Sequence, residues 1–196
     1  MTPRARPMAP EDRRQALVDV TIPLLLEHGR AVTTRQIADA AGVAEGTIFR
    51  VFDTKEDLVA AALDDALDLA PFTDQLAAID TDRPLPAMLL EVVELFQQRF
   101  ERVFALMTRM GMVGPPRARH HMEAERAKVA LILETMAEPH RDALRVAPAQ
   151  LMHMVRLLTF SGTHPHISDG HPLTAEEIVD TLLHGVLRTP PTTQDS

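Results

Sequence analysis

Four residues near the N-terminus combine small size, a hydroxyl group and a positive charge at spacings that suit contact with a polyanion. Ala44, Gly46 and Thr47 lie where a short helix is expected, and their small side chains would let the backbone approach a duplex closely. Lys55 follows at the start of the next expected helix, whose free N–H groups and dipole also attract phosphate oxygens. The same spacing fits a helical hairpin that only packs, so the pattern alone leaves both interpretations open.

A second set of chemically capable residues lies in the segment THPHISDGHP, residues 163–172. Imidazole and carboxylate groups of this kind can bind zinc or nickel, and the candidates are His164, His166, Asp169 and His171. Two prolines and a glycine in the same segment predict a loop between helices, where polar side chains need no metal to explain them. We therefore expect neither a metal site nor a cofactor.

Catalytic motifs are absent from the sequence. It has no glycine-rich phosphate-binding loop, no G-x-S-x-G and no H-E-x-x-H, so we do not expect an enzyme. It has no cysteine, which excludes disulfides and thiolate metal sites and is compatible with a reducing cytoplasm. No apolar run approaches the roughly 20 residues that span a bilayer, and residues 1–10 lack the apolar core of a secretory signal.

The composition of the 196 residues favours an all-α protein. Hydrophobic residues make up 45% of the chain, yet Trp and Tyr are absent, so the aromatic residues that favour strands are scarce. The net charge of −8 argues against a nucleic-acid partner, but it is unevenly distributed. Residues 1–55 carry eight basic and seven acidic residues, a balance of +1, so the remainder carries −9. The N-terminal region is thus much less acidic than the rest of the chain.

Closely spaced helices must position the small residues named first. Apolar residues at i, i+3 and i+4 predict a helix over residues 12–28. Thr33 and Gln36 have the spacing of a capping box that opens a second helix, and a third follows a tight turn at Gly42. Thr54 and Asp57 open a fourth helix that continues to about residue 71. Two short helices joined by such a turn form a helix-turn-helix, whose second helix fits the major groove of DNA.

Many positions of this region agree at fixed spacing with one family signature. The matching residues are Thr33-x-x-x-Ile37-Ala38-x-x-Ala41-Gly42-Val43-x-x-Gly46-Thr47-Ile48-Phe49-x-x-Phe52-x-x-Lys55-Glu56-Asp57-Leu58. The stretch resembles the DNA-binding signature of the tetracycline-repressor (TetR) family and covers roughly the first third of the chain. The resemblance implies an all-α homodimer with an N-terminal operator-binding domain and a C-terminal domain that binds a small inducer.

The resemblance also implies which side chains meet DNA. The family contacts phosphates at the positions of Thr33, Arg35, Thr47, Phe49 and Lys55. It approaches bases and backbone at the positions of Ala44, Glu45 and Gly46. We add Arg50 to this DNA-binding set.

Three positions depart from the usual pattern or are unusual at a DNA surface. The family often has Ser in place of Ala44, so a hydroxyl cap of the recognition helix is missing. It usually has Tyr in place of Phe49, which can pack but cannot donate to a phosphate. Glu45 brings a negative charge towards a polyanion. It could accept from the N4 amine of a cytosine or pair with Arg50, and the sequence leaves both open.

The sequence of the C-terminal two thirds of the chain predicts a ligand pocket. Beyond a proline-broken linker at residues 71–86, helices are expected over residues 85–110, 119–137, 148–160 and 174–187. The last of them opens with a third capping box, formed by Thr174 and Glu177. Met and Phe side chains concentrate on the first of them; such side chains line adaptable cavities, although at helical spacing they are more often ordinary core. The resemblance favours a cavity between these helices, and a lining of Met and Phe side chains would suit a largely apolar, aromatic or flat ligand. Its candidate lining is Phe96, Phe100, Phe104, Met107 and Met136.

The last two helices carry wide apolar faces, more than one side of a monomer needs. They predict a four-helix dimer interface, with burial inside the monomer as the alternative. The candidate residues are Leu151, Met154, Val155, Leu158, Ile178, Val179, Leu182, Leu183 and Val186.

These patterns predict a cytoplasmic, ligand-responsive transcriptional repressor that binds a palindromic DNA operator as a homodimer and is released by a small, largely apolar inducer. The alternative is a helical small-molecule-binding or interaction protein that does not bind DNA. The expected organisation is a disordered arm (1–10), a helix-turn-helix domain (11–57), a ligand-binding and dimerisation domain (58–188) and a disordered tail (189–196).

Overall fold

The computed structural model describes residues 9–111 and 119–184 and is built from helices in this part of the chain. The helices are α1 (Pro10–His28), α2 (Thr34–Ala41), α3 (Glu45–Ile48), α4 (Lys55–Leu67), α5 (Ala70–Ala77), α6 (Leu85–Met110), α7 (Arg119–Ala137), α8 (Pro148–Thr163) and α9 (Ala175–His184). Short 3-10 turns cover Gly29–Ala31 and Glu138–Ala143. The predicted all-α fold is confirmed. Val186, the tail and residues 1–8 of the expected arm lie outside the described residues, while Pro10 already belongs to α1.

Three threonine capping boxes begin helices where the sequence predicts them. In each box a backbone N–H donates to the threonine hydroxyl: Gln36 to Thr33 at 3.2 Å, Asp57 to Thr54 at 3.1 Å and Glu177 to Thr174 at 3.1 Å. The side chain of the donor residue accepts in return from the threonine N–H. Each box therefore satisfies two backbone donors that a helix start would otherwise leave without partners.

The expected linker at residues 71–86 contains a helix that the sequence analysis missed. Asp68 has φ −56° and ψ 137°, which ends α4 at Leu67 instead of near residue 71. The chain then re-enters a helix at Ala70, with Pro71 in the first turn, where proline costs no helical hydrogen bond. Phe72 and Leu76 are buried, so α5 contributes to a core and does not act as a linker.

Contacts within the chain divide it into two compact units. The first comprises residues 1–69 and 102–122, and the second comprises residues 70–101 and 123–196. Helix α6 therefore begins in the second unit and ends in the first. The boundary expected after residue 57 falls inside α4, whose buried Leu58, Ala62 and Leu63 belong to the first core.

In the first unit, α1 packs against α4 and α2, and α3 packs against α2. Its core contains Leu17, Val18, Leu25, Val32, Ile37, Ala38, Ile48, Phe52, Leu58, Ala62, Leu63, Leu106 and Met110. The last two residues come from the end of α6, so this core closes only with a segment about 80 residues away in sequence.

No helix in residues 9–111 and 119–184 is both long and apolar enough to cross a membrane.

The second unit places α8 beside α9 and holds the loop between them tightly. The N–H of Leu173 donates to Gly162 O at 3.0 Å, and Gln97 Nε2 donates to Leu173 O at 2.8 Å. A β-carbon on Gly162 would lie 3.1 Å from the Leu173 side chain, so the loop passes close to α8. The chain from Gly162 to Leu173 is thus held by hydrogen bonds at its end.

Candidate nucleic-acid interface

The turn between α2 and α3 is fixed by backbone hydrogen bonds and one glycine. Gly42 follows the last residue of α2 with φ +67°, a left-handed conformation that favours glycine. Its N–H donates to Asp39 O at 3.2 Å, and the N–H of Val43 donates to Ala38 O at 3.0 Å. These bonds satisfy the carbonyls at the end of α2 and set the direction in which the chain enters α3.

Helix α3 is a single turn, and its stability comes from what lies beneath it. Ile48 is fully buried in the first core, and Phe52 just after the helix is also buried. Ala44 occupies the N-cap, and alanine has no side-chain group that could cap α3. A helix this short is marginal alone. The buried Ile48 and Phe52 therefore hold α3 in place, and the opposite face of the helix remains exposed to solvent.

The structure brings the predicted DNA-binding residues to the exposed side of α2, α3 and the segment after α3. Exposed members of the set are Thr33, Arg35, Ala44, Glu45, Gly46, Phe49 and Arg50, while Thr47 and Lys55 are partly buried. Phe49 is 50% exposed, which is unusual for a large apolar side chain. A β-carbon on Gly46 would meet no atom within 4 Å, so the surface above α3 is open.

Glu45 has a partner that the sequence analysis did not identify. Its Oε1 accepts a hydrogen bond from the Thr34 hydroxyl at the start of α2. Within the part of the chain that the structure describes, Glu45 forms no ion pair with Arg50 or another cation. The bond joins residues on two different helices, so no periodicity within one helix could have predicted it.

Lys55 is held at the start of α4 by the backbone of the first unit. Its Nζ donates to Val32 O at 3.2 Å, immediately before the capping box of α2. An ammonium group has three donors, so this bond leaves two for a phosphate. The bond also fixes a side chain that would otherwise lose much conformational freedom on binding DNA.

Side chains of α1 contact residues that support this surface. The Arg14 guanidinium lies 4.3 Å from the centre of the Phe52 ring, a cation–π contact. Gln15 Nε2 donates to Asp65 Oδ1 on α4 at 2.9 Å. These contacts join α1 to the segment after α3 and to α4.

The end of α6 forms part of the same unit. Arg30 Nε donates to Met110 O at 2.6 Å, and Met110 itself is buried in the first core. Gly29, with φ +58°, approaches the Arg109 carbonyl on the same helix end. No local sequence pattern predicts this attachment, because it joins segments about 80 residues apart.

The five predicted ligand-binding residues are divided between the two units. Phe96, Phe100 and Met136 belong to the second unit, and Phe104 and Met107 belong to the first. In the second unit, Phe96 and Phe100 have ring centres 5.5 Å apart. Two further rings extend this row, with Phe72 at 5.0 Å from Phe96 and Phe160 at 5.3 Å from Phe100. The sequence analysis had not assigned Phe72 or Phe160 to the ligand site.

The predicted dimerisation residues fall into two classes. Leu151, Val155, Ile178 and Val179 are buried within the chain itself, because α8 and α9 pack against each other. Met154, Leu158, Leu182 and Leu183 remain partly exposed. Leu157 and Phe160 of α8, outside the predicted set, are 46% and 38% exposed. The outer apolar surface of α8 therefore differs from the one that helical periodicity suggested.

The histidine loop does not assemble a group of ligands. His164 Nδ1 accepts from the N–H of His166 at 3.3 Å, and their rings are 5.9 Å apart. Across residues 9–111 and 119–184, no three His, Asp or Glu side chains are placed to hold a metal ion.

Residues 17–62 match the model of the family described as bacterial regulatory proteins, tetR family. Over 57 residues the chain is 46% identical to the HTH-type transcriptional repressor KstR2 of Rhodococcus jostii. The aligned segment covers 29% of this chain and 28% of that protein. The chain thus spans under a third of the length of this relative.

Solved structures extend the likeness over most of the chain. A tetR-family transcriptional regulator from Streptomyces coelicolor gives a TM-score of 0.60 at 25% identity, covering 90% of this chain and 79% of that one. LfrR from Mycobacterium smegmatis, solved in complex with proflavine, gives 0.55 at 21% identity, covering 91% and 99%, and shows the shared fold. These proteins are transcriptional regulators and not enzymes. Residues 17–62 are thus similar to the N-terminal region of bacterial regulatory proteins of the tetR family, and the fold of the chain resembles that of a solved regulator of this family.

Proposed function

We propose that the chain is a ligand-responsive transcriptional repressor that acts in the cytoplasm. As a homodimer it binds a palindromic DNA operator, and a small, largely apolar inducer releases it. The observation that carries this proposal is the open, exposed surface of α2 and α3 above the buried Ile48. That surface lies within the residues that match the family.

DNA binding would place α3 in the major groove, with the start of α2 and Lys55 against the phosphate backbone. The open space above Gly46 supports a close approach of the α3 backbone to the duplex. Two recognition helices related by a two-fold axis would read half-sites about one helical turn, roughly 34 Å, apart. Phosphate contacts position such a protein, and contacts to base edges specify the sequence.

Dimerisation through α8 and α9 would use the apolar side chains that the chain leaves at least partly exposed. Leu157 and Phe160 are the large exposed apolar residues of α8, and Met154, Leu158, Leu182 and Leu183 are partly exposed beside them. An isologous contact would cover this apolar surface with the same surface of a second copy. Leu151, Val155, Ile178 and Val179 would then support the interface from within each subunit.

The inducer would bind in the second unit against the row of aromatic rings. Phe96, Phe100 and Met136 are apolar side chains of this unit from the predicted set, and the LfrR structure contains proflavine, a flat aromatic molecule. An inducer can lower operator affinity only if it binds the DNA-free conformation more tightly than the DNA-bound one. Helix α4 is the proposed lever between inducer and DNA.

The alternative is a helical small-molecule-binding or interaction protein that does not bind DNA. A randomised duplex pool exposed to the full-length chain separates the two functions. A regulator should enrich a palindrome, and the logarithm of its binding constant should fall steeply with the logarithm of salt concentration. Thr47→Ala and Lys55→Ala should weaken binding to that palindrome. Absence of any enriched duplex would favour the alternative, and a monomer at micromolar concentration in equilibrium sedimentation would contradict the dimer.

A further inference from the structure

We propose that Glu45 reads a cytosine in each half-site and that Thr34 is the residue that positions it. This inference rests on the proposed function, because it concerns which base the recognition helix selects. It chooses between the two partners that the sequence left open for Glu45. The observation behind it is the hydrogen bond from the Thr34 hydroxyl to Glu45 Oε1.

The bond fixes a carboxylate on the exposed side of the helix-turn-helix. Glu45 is the first residue of α3, where a recognition helix meets base edges, and its side chain is exposed. No cation among the described residues neutralises it through an ion pair. The Thr34 hydroxyl donates to Oε1, which leaves Oε2 as an acceptor on an exposed side chain.

The Thr34 bond also determines what Thr34 itself can do. A hydroxyl has one proton to donate, and this proton is given to Glu45. Thr34 therefore cannot donate to a phosphate while the bond persists. Its contribution to DNA binding would be to hold the carboxylate in one orientation.

The chemistry of a carboxylate selects cytosine among the four bases. A carboxylate only accepts hydrogen bonds, and in the major groove only cytosine N4 and adenine N6 donate them. Adenine also presents its N7 acceptor beside the amine, and this atom would repel the second carboxylate oxygen. Thymine O4 and guanine O6 are acceptors and would be rejected. A negative charge near phosphates also weakens binding to sequences that offer no donor in return.

The test compares base preferences of the full-length protein and matched variants on one randomised duplex pool. Glu45→Gln keeps an oxygen that can accept from Thr34 but replaces the other acceptor with an amide donor. It should lower the preference for cytosine at one symmetric position about 5- to 150-fold and admit adenine, which Gln can bind through N6 and N7. Glu56→Gln removes a similar exposed charge from α4 and should leave the preference unchanged.

Thr34 variants test the positioning role. Thr34→Val removes the hydroxyl at nearly constant shape and should reduce the preference for cytosine at the same position. Thr34→Ser retains the hydroxyl and should restore it. Helical circular dichroism and melting temperature verify that each variant is folded before its preference is measured.

Each outcome is decisive. An unchanged preference at every position in Glu45→Gln overturns base reading by Glu45 even if overall affinity changes. A lost preference in Glu45→Gln with an unchanged one in Thr34→Val overturns the role of Thr34. A wild-type protein that enriches no duplex overturns the proposed function and this inference with it. That outcome differs from failure of the inference alone, in which the wild-type protein enriches a palindrome and only the effect of the variants is missing.

Discussion

Gly29 and Arg109 approach so closely that a β-carbon on Gly29 would lie 2.4 Å from the Arg109 carbonyl oxygen. Gly29→Ala should therefore destabilise the protein twice, through its φ of +58° and through this overlap. With ψ −136° Gly29 lies outside the left-handed helical region, in a conformation that suits glycine and costs another residue about 1–3 kcal/mol, and overpacking adds about 1–3 kcal/mol. Urea denaturation measures the change in the free energy of unfolding.

Gly42→Ala is the matched control for this substitution. Gly42 also has a positive φ, +67°, but with ψ 31° it lies in the left-handed helical region, and a β-carbon there would meet no atom within 4 Å. Only the cost of the backbone conformation, about 1–2 kcal/mol, should remain. Equal losses in the two variants would mean that the approach to Arg109 does not constrain residue 29.

Arg30→Ala should remove the hydrogen bond to Met110 O. A net loss of about 1–2 kcal/mol of unfolding free energy is expected, because the donor is charged and the acceptor lies at the end of a helix. Arg35→Ala provides the comparison, since Arg35 is an exposed member of the DNA-binding set. It should weaken operator binding with little change in stability. If Arg30→Ala proves as stable as Arg35→Ala, the bond contributes nothing measurable.

Gly46→Ala should separate DNA binding from folding. The added β-carbon contacts nothing in the protein, and alanine favours a helix over glycine by about 0.5–1 kcal/mol. We expect the melting temperature to hold or rise while operator affinity falls, because the methyl group enters the space through which the duplex approaches. Unchanged affinity, measured by fluorescence anisotropy, would place the DNA elsewhere.

Lys55→Gln should change the salt dependence of operator binding more than its specificity. Loss of one phosphate contact reduces the slope of log affinity against log salt by about one per subunit. Preferences among operator sequences should persist, since a phosphate contact carries no base information. A changed base preference with an unchanged slope would contradict a phosphate contact by Lys55.

Leu157→Gln should weaken the dimer by placing a polar side chain at the proposed interface. Leu131 of α7 is 65% exposed, more than the 46% of Leu157, but lies outside that interface. Leu131→Gln should therefore leave the sedimentation behaviour unchanged. Dissociation of both variants to the same extent would show that general surface polarity, and not the α8 surface, determines assembly.

Local rules predicted much of the fold. The capping boxes at Thr33, Thr54 and Thr174 start helices as expected, because their hydrogen bonds form within four residues. The bounds of α6 and α7 also agree with the expected ones. Helix α5 was missed because prolines were taken as breaks, although proline is accepted in a first turn.

Contacts between distant segments could not be predicted in the same way. The Thr34–Glu45 bond depends on the turn between two helices, and the Arg30–Met110 bond depends on where α6 ends. Periodicity identified Leu151 and Val155 as apolar but did not reveal that the same chain covers them. A pattern within one helix shows that a face needs covering, and only the assembled chain shows what covers it.

The passage of α6 from one unit into the other has a consequence for building chimeric regulators. A reader domain grafted from residues 1–69 alone would lack Leu106 and Met110 and would leave Leu17, Leu25 and their neighbours without part of their cover. The interchangeable module is therefore discontinuous in sequence. A graft that also supplies residues 102–110, or an apolar substitute for them, should be the shortest version of the proposed DNA-binding domain that can be transplanted.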